Sequence, residues 1–231
     1  MAELGSERQP ATWRGLPAWR VASGELWVVV CPARGAKITS LFDVRGGREW
    51  LATAAPGDLR PLTYGALWSA YEMCGWDEVF PTLGECAHPG PGRSTGVRLP
   101  DHGEVWSVPW DDETPDDGAE VVCSVAGVAL PYRFRRTVRV EGPTLRLDYE
   151  LANTSSDPLP YQWVPHLLLH GAGLRLDWDA ADLPWTMRLN GLTVPTSADG
   201  PDLAAAVDAG RSRTLAPGAT THWHLTATLR A

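Results

Sequence analysis

An alternation of period two, carried across Glu141, Gly142 and Pro143, constrains this chain more than any other feature. Before the break, Phe134, Val138 and Val140 fall on one side and Arg135, Thr137 and Arg139 on the other. After it, Leu145, Leu147, Tyr149 and Leu151 alternate with Arg146, Asp148 and Glu150. Successive side chains of a strand point to opposite faces, whereas a helix would scatter the same residues around its circumference. The pattern predicts an antiparallel hairpin with one buried and one wet face. A lone hairpin is marginal in water, so the rest of the chain must supply more strands.

Further strands are predicted near Glu25 to Val30, Ala36 to Asp43, Arg48 to Leu51, Glu104 to Val108, Glu120 to Val128, Tyr161 to Leu169 and Leu174 to Trp178. A final strand runs to the C-terminus, where Trp223, Leu225, Ala227 and Leu229 alternate with His222, His224, Thr226 and Thr228, which puts both histidines on the outward face. One short helix is predicted over Asp202 to Ala209, with Pro201 at its start and Gly210 at its exit. Twenty prolines and 23 glycines fall largely between these segments, with loop-like text at Ala54 to Pro61, His88 to Thr95, Asp111 to Gly118 and Asn153 to Pro158. Many short strands and almost no helix make this an all-β chain, an antiparallel β-sandwich. No repeat or linker divides it, so residues 1–231 read as one domain, with 1–15 a loosely ordered N-terminal segment.

The 28 acids outnumber the 20 bases and the net charge is −8, which argues against nucleic acid as a partner, since phosphate binding draws on clustered Lys and Arg. No apolar run is long enough to span a bilayer, and Met1 to Pro10 lacks the apolar core of a signal peptide, so a cytoplasmic protein without a membrane partner is expected. Cys31, Cys74, Cys86 and Cys123 have no zinc-ribbon spacing and are read as reduced thiols; neither a metal nor a cofactor is expected. Twelve tryptophans suit a protein that stacks indoles on sugar rings, and core packing explains most of them equally well. Oligomeric state is not legible.

Three segments are unlike ordinary strand or turn text: GWDEVFPTLGEC (75–86), LPDHGEVWSVPW (99–110) and PYQWVPHLLLH (160–170). Each sets histidine or carboxylate among aromatics, and in an all-β protein such residues at strand mouths ring a pocket. GWDEVFPT followed by DHGEVW and then by a Pro-His pair resembles the aldose 1-epimerase (galactose mutarotase-like) superfamily in content and order. GAKITSLFDVRGGREWL (35–51) and APGATTHWHLTATL near the end resemble its opening and closing strands, and the resemblance runs from about Ala18 onward.

That resemblance implies a β-supersandwich that binds an aldose, free or phosphorylated, and interconverts its α and β anomers. The chemistry needs a base for the anomeric hydroxyl proton and an acid for the ring oxygen. His166 of VPHLLL matches the family's acid and His102 of DHGE its second, sugar-binding histidine. Histidine suits proton exchange near neutrality. The family's base is a glutamate before a Pro-Thr pair, and this chain has Val194 there, which cannot accept a proton.

Asp77, Glu78, Glu104, Asp177 and Asp179 are the carboxylates weighed as substitutes, with Asp77 foremost because Trp76 and Phe80 flank it. The expected site is therefore His166 and His102 for catalysis, with Asp77, Trp76, Glu78, Glu104, Trp163 and Asp177 for substrate binding, and a small-molecule sugar as partner. The opposing reading is a sugar-binding relative that has lost catalysis through Val194; a third is an assembly protein whose exposed aromatics form an interface. His170 is read as a supporting or structural residue on the strand face of His166, and Arg60 and Arg93 as the basic loop residues near the motifs.

Overall fold

A computed structural model describes residues 6–55, 57, 59–171, 176–180 and 182–229. From the N-terminus, β1 (Glu7–Trp13), β2 (Leu16–Ala22), β3 (Leu26–Cys31) and β4 (Lys37–Asp43) form an antiparallel meander, with β5 (Arg48–Glu49) against β4. β6 (Trp76–Val79) extends that sheet beyond β4. Two short strands, β7 (Cys86–Ala87) and β8 (Arg98–Leu99), pair with each other. A second sheet begins with β9 (Asp111–Asp112), β10 (Val121–Ala126), β11 (Tyr132–Glu141) and β12 (Thr144–Asn153). After β13 (Leu159–Tyr161), β14 (Val164–Leu167) returns to the first sheet beside β6, and β15 (Leu176–Asp179) goes to the edge of the second. A hairpin of β16 (Trp185–Leu189) and β17 (Leu192–Thr196) precedes α1 (Leu203–Asp208). The chain ends with β18 (Arg213–Leu215), paired to β13, and β19 (Thr220–Leu229), which fills the place between β12 and β15.

The anchoring hairpin forms as the alternation predicts: β11 and β12 pair from Tyr132↔Asn153 to Glu141↔Thr144, leaving Gly142 and Pro143 as the turn. Gly142 has φ +54° and proline is held near −65°, the sign combination of a type II′ turn, whose twist matches that of the strands. Asp202 caps α1, its Oδ1 accepting from Ala205 N at 2.8 Å. His222 and His224 face outward on β19 as expected, while Trp223 and Leu225 are buried.

The buried faces of both sheets form one core from Val21, Val28, Ile38 and Trp76 to Phe134, Leu147, Tyr149 and Trp223. Arg136 lies on the core face of β11 between Phe134 and Val138, a charge inside an apolar stripe. It is held from the opposite sheet: its Nη1 donates to Glu78 Oε1 at 2.6 Å, and a second nitrogen bonds Ala36 O. Glu78 also accepts from Tyr149 OH (2.9 Å) and Trp163 Nε1 (2.8 Å), so both its oxygens are engaged, while Arg136 keeps its Nε buried without a partner.

Three expectations change. Residues 7–13, read as part of a loose segment, form β1, paired over its whole length with β2; its Pro10 is tolerated because β1 is an edge strand. Residues 1–5 lie outside the described set. The strand expected over Glu104 to Val108 is a 3-10 turn at Val105–Ser107. Tyr161 to Leu169 divides into β13 and β14, which belong to different sheets. Of the strand expected from Leu174, residues 174 and 175 are outside the described set and β15 supplies the rest.

Candidate functional site

The β6–β14 ladder fixes the first two functional side chains. Asp77 pairs with His166, Glu78 with Pro165 and Trp76 with Leu167, and residues directly opposite share a face. Trp76 and Glu78 turn into the core, so Asp77 and His166 turn the other way. Lys37 at the start of β4 reaches the same face, its Nζ 2.9 Å from Asp77 Oδ2 and 3.0 Å from Cys74 O.

His102 arrives on a loop shaped by its own neighbours. It has φ +60°, and its N–H donates to Leu83 O at 2.7 Å. Gly103 follows at φ +73°, where a Cβ would sit 2.1 Å from Phe80 O, so glycine is the residue this crossing admits. Glu104 N then donates to Phe80 O at 2.7 Å, seating the loop on the end of β6.

The two imidazoles meet with centroids 4.9 Å apart and planes at 83°. Over them lies Trp68, from a 3-10 turn at Trp68–Ala70: stacked on His102 at 4.8 Å and edge-on to His166 at 4.7 Å. Its Nε1 donates to Asp77 Oδ2 at 2.9 Å and its backbone N to Asp101 Oδ2 at 3.3 Å. Asp101 Oδ1 is 2.9 Å from His102 Nδ1, an ion-pair distance whose angle falls short of a hydrogen bond.

Asp77 Oδ1 and His166 Nδ1 are both buried without a hydrogen-bond partner. Buried polar atoms are nearly always paired, so two orphans on directly opposite residues call for an explanation. Burial pushes the His166 pKa down to about 4, and the neighbouring His102 adds to the shift against the opposing pull of Asp77. His166 is therefore neutral at pH 7 and stores no proton to give as an acid.

The structure thus brings His102, His166 and Asp77 together. The other expected site residues do not join them. Trp76 and Trp163 are core side chains, and Glu78 is the inter-sheet partner of Arg136. Glu104 is saturated by Tyr64 OH, Tyr132 OH and the N–H groups of Val128 and Ala129, which makes it a loop anchor. Asp177 stands exposed on β15 in the second sheet. For Trp76 and Glu78 the cause is strand parity, since a one-residue step from Asp77 changes face; Glu104 is taken up by its loop and Asp177 lies in the other sheet. Val194 is packed in the apolar core, and His170 lies exposed past the end of β14. Lys37, Trp68 and Asp101 were missed; Asp101 stands inside the DHGE text and Lys37 is a lone lysine in the apolar run AKITSLF, whereas Trp68 sits in unpatterned loop text.

Two antiparallel sheets packed face to face, with a polar cluster on the outer face of one, define a β-supersandwich. The chain has the galactose mutarotase-like fold. Slr1438 from Synechocystis sp. PCC 6803 superposes with TM-score 0.66 at 13% identity, over 95% of this chain and 96% of that one. A galactose mutarotase-like protein from Lactobacillus casei gives 0.65 at 12% (92% and 100%), and a putative aldose 1-epimerase from Klebsiella pneumoniae 0.60 at 13% (97% and 87%). No protein-family model matches the chain, and no curated protein matches it significantly in sequence. No helix among the described residues is long and apolar enough to cross a membrane.

Proposed function

We propose that the protein is a carbohydrate-handling isomerase of the aldose 1-epimerase type, interconverting the anomers of a free or phosphorylated hexose at the Asp77, His166 and His102 cluster. The observation that carries this reading is the pair of orphaned buried atoms, Asp77 Oδ1 and His166 Nδ1, on directly opposite residues. One is an acceptor and the other belongs to a neutral imidazole, and a sugar's adjacent hydroxyls can satisfy both. Neutral His166 takes the proton of the anomeric hydroxyl, and His102, with Asp101 behind it as counter-charge, gives one to the ring oxygen. The C1–O5 bond opens to the aldehyde, C1 rotates, and the protons return as the ring closes on the other face. This assigns His166 the base role and His102 the acid role, the reverse of the resemblance, because burial holds His166 neutral.

Polarimetry of freshly dissolved α-D-glucose, α-D-galactose and glucose 6-phosphate tests it: acceleration over buffer on at least one, lost in His166→Ala, is the expected result. No acceleration on any sugar refutes it.

A sugar-binding protein without catalysis is the second reading, favoured by Val194 and by Asp77 already being neutralised by Lys37. It predicts sugar-dependent tryptophan fluorescence with no change in mutarotation rate.

A further inference from the structure

Trp68 is 6% exposed although it belongs to a loop, residues 59–73, that contributes no strand to either sheet. Its indole presents a flat face to His102, an edge to His166 and a single N–H to Asp77 Oδ2. Those are the contacts a pyranose would make here: an apolar face on an aromatic plane and a hydroxyl proton to the carboxylate. With the indole in that position, a sugar ring and Trp68 compete for the same space.

The loop is anchored at its far end by a largely buried bidentate ion pair, Arg34 Nε and Nη2 on Glu72 at 2.6 Å each, which leaves the part before it fastened by side-chain bonds that can be released one at a time. Tyr64 OH donates to Glu104 Oε1 at 2.8 Å, Trp68 N to Asp101, and Arg34 Nη1 to Arg60 O at 2.6 Å. Tyr64 and Leu67 are exposed on its outer side, Leu67 to 62%. Arg60, Ala70 and Tyr71, further along the loop, line an open cleft of about 600 Å³, which leaves room for the loop to withdraw. Segments held by few buried contacts are those that open at low cost.

We propose that Trp68 is a gate that occupies the ligand's place over His102 and His166, and that the 59–73 loop must swing out before a sugar reaches them. The sugar part of this inference rests on the function proposed above. Apparent affinity is lowered by the fraction of molecules that are open, so removing the indole raises it.

Two measurements on the full chain test the gate and the sugar reading separately. The first is diethylpyrocarbonate labelling, followed by mass spectrometry of the peptides carrying His102 and His166, with exposed His222 as internal reference. Trp68→Ala and Tyr64→Phe should each label His102 and His166 about tenfold faster than wild type, the factor expected when one charge-assisted hydrogen bond holds a lid closed. Tyr64→Phe keeps the indole in place, so it decides the question if Trp68→Ala does not fold. Unchanged rates in the variants that fold overturn the gate.

The second measurement is polarimetry of α-D-galactose and α-D-glucose, in which Trp68→Ala should show a lower KM. A raised KM would make Trp68 a sugar-holding residue and overturn the competition. Faster labelling with no action of wild type on either sugar would support the gate over the imidazoles while removing the mutarotase reading.

Discussion

Asp77 and His166 face each other across neighbouring antiparallel strands, and each keeps one buried polar atom without a partner. The same carboxylate spends its other oxygen on Lys37 and Trp68. From this pairing follow the electrostatics of the cluster and the first two predictions.

Folding holds the His166 pKa at about 4, below its value of about 6.5 in the unfolded chain. The unfolded state therefore binds more protons between those values, and stability is full above about pH 6.5 and declines as pH falls towards 4. The decline from this group is of order 3 kcal/mol. His88, also buried and lowered, adds to it in the same direction. Urea unfolding at a series of pH values should show a shallower slope in His166→Asn than in wild type; identical slopes would mean that His166 does not titrate this way.

Lys37 and Asp77 form an ion pair with side chains 4% and 0% exposed. Removing one partner leaves the other charge buried, so Lys37→Met and Asp77→Asn should each cost about 3–5 kcal/mol, and the double variant less than their sum. A double-mutant cycle by chemical denaturation measures this; strict additivity would dissolve the pair.

Gly103→Ala should destabilise the protein by at least about 3 kcal/mol, since its Cβ would fall on Phe80 O and its φ is positive. Because His102 rides on this turn, the mutarotation rate expected of the wild type should fall with it. Thermal unfolding and polarimetry on the same sample read both effects.

Val194→Glu should fail to restore a base. The position is packed among apolar side chains, so a carboxylate there is either protonated or disruptive. Lower stability with no gain in rate is expected. A faster variant of undiminished stability would reinstate Val194 as part of the site.

The strands and their faces were readable wherever alternation was long, as at 132–153, because burial of one face writes itself into the sequence at every second residue. β1 was not readable, since an edge strand with little burial and an internal proline carries no such imprint. Arg136 hid for the opposite reason: a charge on the apolar face reads as an exception until its partner Glu78, from the other sheet, is seen. Motif text pointed to His102, His166 and Asp77 but drew in Trp76, Glu78, Glu104 and Trp163, whose side chains the core claims.

Taken alone, the amino-acid order determined an all-β antiparallel sandwich and the hairpin register, because these follow from periodicity and local turn chemistry; the grouping of the histidines was legible only through the motifs' resemblance to a known family. Which of the clustered polar residues share a face, which are consumed by the core, and that Trp68 covers the imidazoles were decided by tertiary structure. Those outcomes depend on pairings between residues tens of positions apart, where packing and desolvation act and no local pattern records the result.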